Sequence, residues 1–193
     1  MKTIALFGGS FDPPHVGHVL AVRYLLVTGA VDEVLIVPVY EHAFHKQLTQ
    51  FEVRLELLRL AFADETRVTV SSVEQSLPRP NYTLNTVKAL ADQFPQAQFR
   101  LVVGADVLPD LDKWHHFEEL RSLAPLLVLG RSGVTHADSP QSFLPEVSST
   151  EVRELLRRLG NASDKERAPE HEALAQLVPK RVLDAIAAHG WYR

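Results

Sequence analysis

Two histidines three residues apart, His15 and His18, follow a glycine pair and a proline corner in the stretch Phe7-Gly8-Gly9-Ser10-Phe11-Asp12-Pro13-Pro14-His15-Val16-Gly17-His18. Gly8 and Gly9 allow the backbone to approach a ligand closely, and their amides, with those opening a following helix, suit a phosphate. Histidines at this spacing face one ligand from a helix start, where the helix dipole also favours anions. The chemistry indicated is recognition of a phosphate. A capping role or a structural zinc site are the alternatives for the histidines. Zinc would need two further ligands, which in a chain without cysteine must come from His42, His45, Asp106, His115 or His116. The stretch is neither a Walker loop, because the Gly-Lys-Ser/Thr ending is missing, nor the GxGxxG dinucleotide fingerprint.

Other segments carry candidate groups. In Ser148-Ser149-Thr150-Glu151-Val152-Arg153, Ser148 and Glu151 fit a capping box that opens a helix. Arg153 at that helix start opposes the dipole, and an anionic partner explains it better than a surface role. Gly104-Ala105-Asp106 puts a glycine and an acid at a strand end, with Asp106 as a helix cap or a ligand contact. Trp114 is either core or a stacking platform, and its polar neighbours favour the platform. Lys46 is a solvated loop lysine or a ligand contact, and Thr83 and Thr86 suit helix caps as well as ligand contacts.

These groups need elements to hold them. Residues 2–7 are short, apolar, β-branched and stopped by glycine, which predicts a buried strand. Val19, Leu20, Val22, Leu25 and Leu26 then recur at helical spacing over 16–28, with Gly29 as the stop. Further strands are predicted at Val34–Val37, closed by Pro38, and at Val68–Val70, Phe99–Val103 and Leu126–Leu129. Phe51, Leu55, Leu58 and Phe62 mark an amphipathic helix with Arg54, Glu56 and Arg59 off its apolar face. Leu84, Val87, Ala91 and Phe94 mark another, with Asn81 or Thr83 as N-cap. Residues 111–117 read as a loop or helix start. Residues 39–49 and 132–142 read as loops, the second a mobile one, and 160–169 as a polar linker. Pro179 suits the first turn of a last helix carrying Val182, Leu183 and Ile186.

Alternation of strands and helices predicts an α/β fold: a doubly wound, Rossmann-like parallel sheet over residues 1–147, with a small C-terminal helical subdomain over 148–193. Ligands in such a sheet sit at the carboxyl ends of the strands. Gly8, Tyr40, Gly104 and Arg131 would all lie there.

The 193 residues, 46% hydrophobic and 23% charged, match an ordinary globular protein. The formal charge of −4 argues against a general nucleic-acid binder. No apolar run approaches the roughly 18–20 residues of a membrane span, and Met1-Lys2-Thr3-Ile4 shows no signal-like pattern, so the expected location is cytoplasmic. The oligomeric state is left open, a homo-oligomer included.

The segment from Gly8 to His18 resembles the signature of the nucleotidyltransferases that share the HxGH element with class I aminoacyl-tRNA synthetases. Within them it is most similar to the bacterial nicotinate-nucleotide adenylyltransferases. His45-Lys46 resembles the end of that family's Pro-Pro-His-Lys loop, and Asn81-Tyr82-Thr83-Leu84-Asn85-Thr86 its Tyr-Thr-x-x-Thr segment. Gly104-Ala105-Asp106, Lys113-Trp114 and Ser148 to Arg153 follow in the family's order, so the resemblance covers roughly residues 2–159.

The resemblance implies adenylyl transfer from ATP to nicotinate mononucleotide, giving deamido-NAD and pyrophosphate, with Mg²⁺ bridging phosphate oxygens and no protein metal site. It implies catalytic roles for His15, His18 and Arg153, with His18 the transition-state stabiliser. The ATP side would comprise Gly8, Gly9, Ser10, Phe11, Gly104, Asp106, Ser148, Ser149 and Arg153. The acceptor side would comprise Lys46, Tyr82, Thr83, Thr86, Trp114 and His115. Another acceptor, nicotinamide mononucleotide or phosphopantetheine, and a non-catalytic nucleotide sensor are the alternatives. Two departures fall on the acceptor side: Glu41-His42-Ala43-Phe44-His45-Lys46 lacks the paired prolines, and His115 stands where a tyrosine is more familiar.

Overall fold

The first strand, β1 (Lys2–Gly9), alternates its side chains between two apolar layers. Ile4 and Leu6 point into one, Ala5 and Phe7 into the other. This period-2 division is what a central strand covered on both faces requires. The computed structural model describes residues 1–41, 47–130, 144–162 and 164–192, the side chains of 164–167 excepted.

β1 is joined by β2 (Glu33–Pro38), β3 (Val68–Val70), β4 (Ala97–Gly104) and β5 (Leu126–Leu129). The five form one sheet in the order β3-β2-β1-β4-β5, all pairs parallel. Helices α1 (Val16–Val27), α2 (Phe51–Ala61), α3 (Thr83–Gln93) and α4 (Phe117–Leu123) make the crossovers, with 3-10 segments at Val73–Ser76 and Ala105–Lys113. Val22, Leu25 and Leu26 of α1 and Leu58 of α2 cover one face of the sheet; Leu84, Val87 and Leu90 of α3 and Leu120 of α4 cover the other. The winding reverses between β1 and β4, and that switch point is where a ligand crevice belongs. Phe7 is level with Val102, so the two strands end side by side at Gly9 and Gly104.

Three helices complete the chain: α5 (Ser149–Asn161), α6 (Asp164–Leu177) and α7 (Lys180–His189). They share an apolar cluster with α2, in which Val53 and Leu57 meet Val152, Leu156, Leu174, Val182, Leu183 and Ile186.

Four local expectations change. The polar stretch 160–169 is mostly helical: α5 runs to Asn161 and α6 begins at Asp164, with Pro169 inside it. Burial of Leu174 among neighbouring helices outweighs weak local propensity. Leu20 belongs to the apolar count of α1 but is 41% exposed. Arg54, placed off the apolar face of α2, is only 1% exposed, because its guanidinium is enclosed by the backbone of Ser10, Val39 and Thr49. Neither Asn81 nor Thr83 is the N-cap of α3. Tyr82 holds that position without a side-chain cap, and Asn81 instead accepts the Glu41 amide at 2.9 Å.

Candidate active site at the carboxyl ends of β1 and β4

β1 ends at Gly9, and the chain turns sharply through Phe11 in a left-handed conformation with φ 48°. The Phe11 ring is buried edge-on against Phe7 at 5.4 Å and His18 at 4.9 Å. It also explains Gly9, since a Cβ there would lie 3.1 Å from Phe11 Cζ. Gly8 and Ser10 border this turn, and the Ser10 carbonyl accepts from Arg54 Nη1 at 2.9 Å.

His15 is the N-cap of α1, with extended backbone at φ −138°, and its carbonyl accepts from the amides of His18 and Val19. The two imidazoles stack with centroids 3.7 Å apart. The His15 amide donates to His18 Nδ1 at 3.1 Å. An acceptor at Nδ1 places the proton of the neutral ring on Nε2, making that atom a donor. Gly17 permits the stack: a Cβ there would meet Val147 Cγ1 at 2.9 Å and the His15 ring at 3.0 Å.

The second predicted cluster packs onto the first. Ser148 caps α5 by accepting the Glu151 amide at 3.2 Å. Ser149 donates its hydroxyl to the Pro13 carbonyl at 2.9 Å. Arg153 donates through Nη1 to the Asp12 carbonyl and through Nη2 to Thr150 Oγ1 at 3.1 Å. The start of α5 is thereby bonded to the loop that opens α1. Loop amides, an imidazole donor and a guanidinium are thus held by elements bonded to one loop, and groups of these kinds suit phosphate oxygens.

Sequence reasoning missed the buried network beneath this surface. Arg54 donates to three backbone carbonyls, of Thr49 at 2.8 Å, Ser10 at 2.9 Å and Val39 at 2.8 Å. Burial lowers its pKa, a tendency opposed by Asp12, Tyr192, Glu52 and Glu74. Asp12 is buried and accepts from the Thr49 amide at 3.1 Å and the Tyr192 hydroxyl at 2.8 Å. The only sequence signal was an arginine three and four residues before Leu57 and Leu58, the spacing of a shared helix face.

Gly104 ends β4, and a Cβ on it would lie 2.3 Å from Asp106 Oδ1, so the glycine makes room for that carboxylate. Asp106 is exposed and sits in the first turn of the 3-10 segment. Gly104, not Asp106, is the residue capping that segment.

Of the residues expected on the acceptor side, the Tyr82 and His115 rings stack at 4.3 Å, and His116 meets His115 edge-on at 4.2 Å. Trp114 is half-buried against the second apolar layer. Thr83 opens α3. Thr86 is buried and donates its hydroxyl to Glu74 Oε1 at 2.8 Å. Glu74 Oε2 accepts the Tyr40 amide at 3.0 Å, and burial raises the Glu74 pKa against the pull of these two bonds and Arg54. Lys46, with His42 and His45, and the predicted 132–142 loop with Arg131 lie outside the described residues. Among the described residues no group of three or more His, Asp or Glu could hold a metal ion, and no helix is long and apolar enough to cross a membrane.

The family model described as cytidylyltransferase-like matches residues 6–155, from β1 through the start of α5. A probable nicotinate-nucleotide adenylyltransferase of Anaeromyxobacter dehalogenans is 39% identical over 100% of this chain and 97% of its own length. The chain belongs to this adenylyltransferase family. The nicotinate-nucleotide adenylyltransferase of Bacillus subtilis is 34% identical over 81% of the chain and 87% of its own length. A solved structure of the Plasmodium falciparum nicotinic acid mononucleotide adenylyltransferase, complexed with NaAD, superposes with a TM-score of 0.78 over 100% of this chain and 98% of that one. At 18% identity that likeness speaks for the fold. The segments that carry the resemblance, Gly8 to His18 and Ser148 to Arg153, form the β1–α1 connection and the start of α5 in this chain.

Proposed function

We infer that the chain transfers the adenylyl group of ATP to nicotinate mononucleotide, releasing pyrophosphate and forming deamido-NAD. Membership of the adenylyltransferase family over the full chain supports the reaction. The observation that supports the site is the bonding of the start of α5, through Ser149 and Arg153, to the loop that leads into His15 and His18. A 5′-phosphate oxygen of the acceptor attacks the α-phosphorus of ATP. The new P–O bond forms as the bond to the bridging β-phosphate oxygen breaks, and its electron pair leaves with pyrophosphate. Such a transfer needs positioning and neutralised charge rather than a protein nucleophile.

In this reading the amides of Gly8, Gly9 and Ser10 approach the phosphates, and His18 donates Nε2–H to charge developing in the transition state. His15 orients His18 by stacking and through its amide. Arg153, with Ser148 and Ser149, holds the departing pyrophosphate, and Gly104 and Asp106 flank the nucleotide. Tyr82, Thr83, Trp114, His115 and Lys46 form the acceptor side. Mg²⁺ enters as MgATP, neutralising phosphate charge. Histidine, arginine and serine are donors toward phosphate rather than magnesium ligands, so the metal would be held chiefly by phosphate and water. The reaction is placed in the cytoplasm.

Purified protein given MgATP should release pyrophosphate faster with nicotinate mononucleotide than with nicotinamide mononucleotide or phosphopantetheine. Absence of turnover with all three would refute the reading.

A further inference from the structure

The penultimate residue of the chain bonds to the middle of the phosphate loop. α7 ends at Gly190, which is left-handed at φ 69°, and Trp191 returns its amide to Ile186 at 3.2 Å. Tyr192 is itself left-handed, φ 65°, a conformation that is unfavourable for a non-glycine residue. The turn carries its ring into the third apolar cluster and its hydroxyl to Asp12 Oδ1 at 2.8 Å, across 180 positions of sequence. Burial and the Asp12 carboxylate push the phenol well above its ordinary pKa, so it remains a donor throughout the working pH range.

Asp12 relays this contact to the ligand side. Its other oxygen accepts from Thr49, and its backbone carbonyl accepts from Arg153 Nη1. The neighbouring Pro13 carbonyl accepts from Ser149. A movement of Asp12 therefore moves the partner that orients the Arg153 guanidinium. We propose that Tyr192 is a positioning residue for ATP, holding Asp12 so that the loop before α1 and Arg153 keep the arrangement that receives the phosphates. The inference rests on the adenylyltransferase reading and extends it to the C-terminal turn. Loss of the hydroxyl leaves Asp12 Oδ1 buried without this donor, a situation that favours rearrangement of the loop.

The test is Tyr192→Phe, which keeps the ring and removes only the hydroxyl. Calorimetry should show MgATP binding weakened about tenfold, and KM for ATP should rise by a similar factor, while KM for nicotinate mononucleotide stays within about twofold. In the Asp12→Ala background, which has no acceptor for the hydroxyl, the same change should add little, since both remove one bond. By reciprocity, saturating MgATP should raise the melting temperature of wild type more than that of Y192F, because the variant binds the nucleotide less tightly. Unchanged ATP affinity in Y192F, or an equal MgATP-induced rise in melting temperature in both proteins, would overturn the inference. Wild-type protein that binds MgATP without transferring its adenylyl group would refute the functional reading alone. Wild-type turnover with native ATP affinity in Y192F would refute only the role of Tyr192.

Discussion

A methyl group on Gly17 would meet Val147 Cγ1 and the His15 ring at 2.9 and 3.0 Å, both closer than side-chain carbons normally pack. The stiff valine on one side and the stacked imidazole on the other leave no easy relief. Gly17→Ala should therefore shift His15 out of its stack with His18. Overpacking costs about 1–3 kcal/mol, offset by up to about 1 kcal/mol of helix propensity, so the net loss of stability should be modest. Turnover should fall more than tenfold. Shortening Val147 to alanine in that background should recover the melting temperature more fully than the turnover, because the clash with His15 remains. A G17A protein with wild-type turnover would contradict this packing account. At this scale the histidines, Ser148 and Arg153 were legible because each carries a polar group at a telling spacing. Gly17 was legible only as a member of a motif, since the reason for it comes from Val147, 130 positions away by sequence number.

The loop after β2 is tied to α3 through Glu74, which accepts the Tyr40 amide and the Thr86 hydroxyl. Asn81 reinforces the tie, donating to the Glu74 carbonyl at 3.0 Å and accepting from Glu41. Burial raises the Glu74 pKa above its ordinary value of 4.5, so the folded state holds this proton more tightly than the unfolded one. The contribution of Glu74 to stability is then fully present below the ordinary value and is lost as pH rises through the raised one. Glu74→Gln stays neutral and can still accept from Tyr40 while donating to Thr86. The melting temperature of E74Q relative to wild type should therefore increase between pH 4 and pH 7, by about 2–4 °C for each kcal/mol involved. A difference independent of pH would contradict it. The strands and α1 to α3 were legible from period and punctuation, as was the cap of α5. The fate of Arg54 and Thr86 was not, because a polar residue on a helix reads as solvated until the neighbouring elements are known.

Contacts between distant parts of the chain close the whole molecule around the phosphate loop. Ser149 reaches Pro13 across 136 positions, Arg153 reaches Asp12 across 141, and Tyr192 reaches Asp12 across 180. The parallel sheet, its switch point and the location of the site at its carboxyl edge follow from alternating strands and helices. The docking of the C-terminal helices onto α2 does not, since the pattern of one helix cannot name the surface that covers it. That docking ties the start of α5 to the loop before α1, so the proposed site depends on contacts from both ends of the chain. The most direct measurement is pyrophosphate release from MgATP and nicotinate mononucleotide by wild type and His18→Ala under matched conditions. Wild type is expected to release pyrophosphate in step with deamido-NAD, and H18A, with an unchanged circular dichroism spectrum, to be slower by about 10²–10³-fold, the scale of losing one transition-state donor. Near-normal turnover by folded H18A would contradict the account.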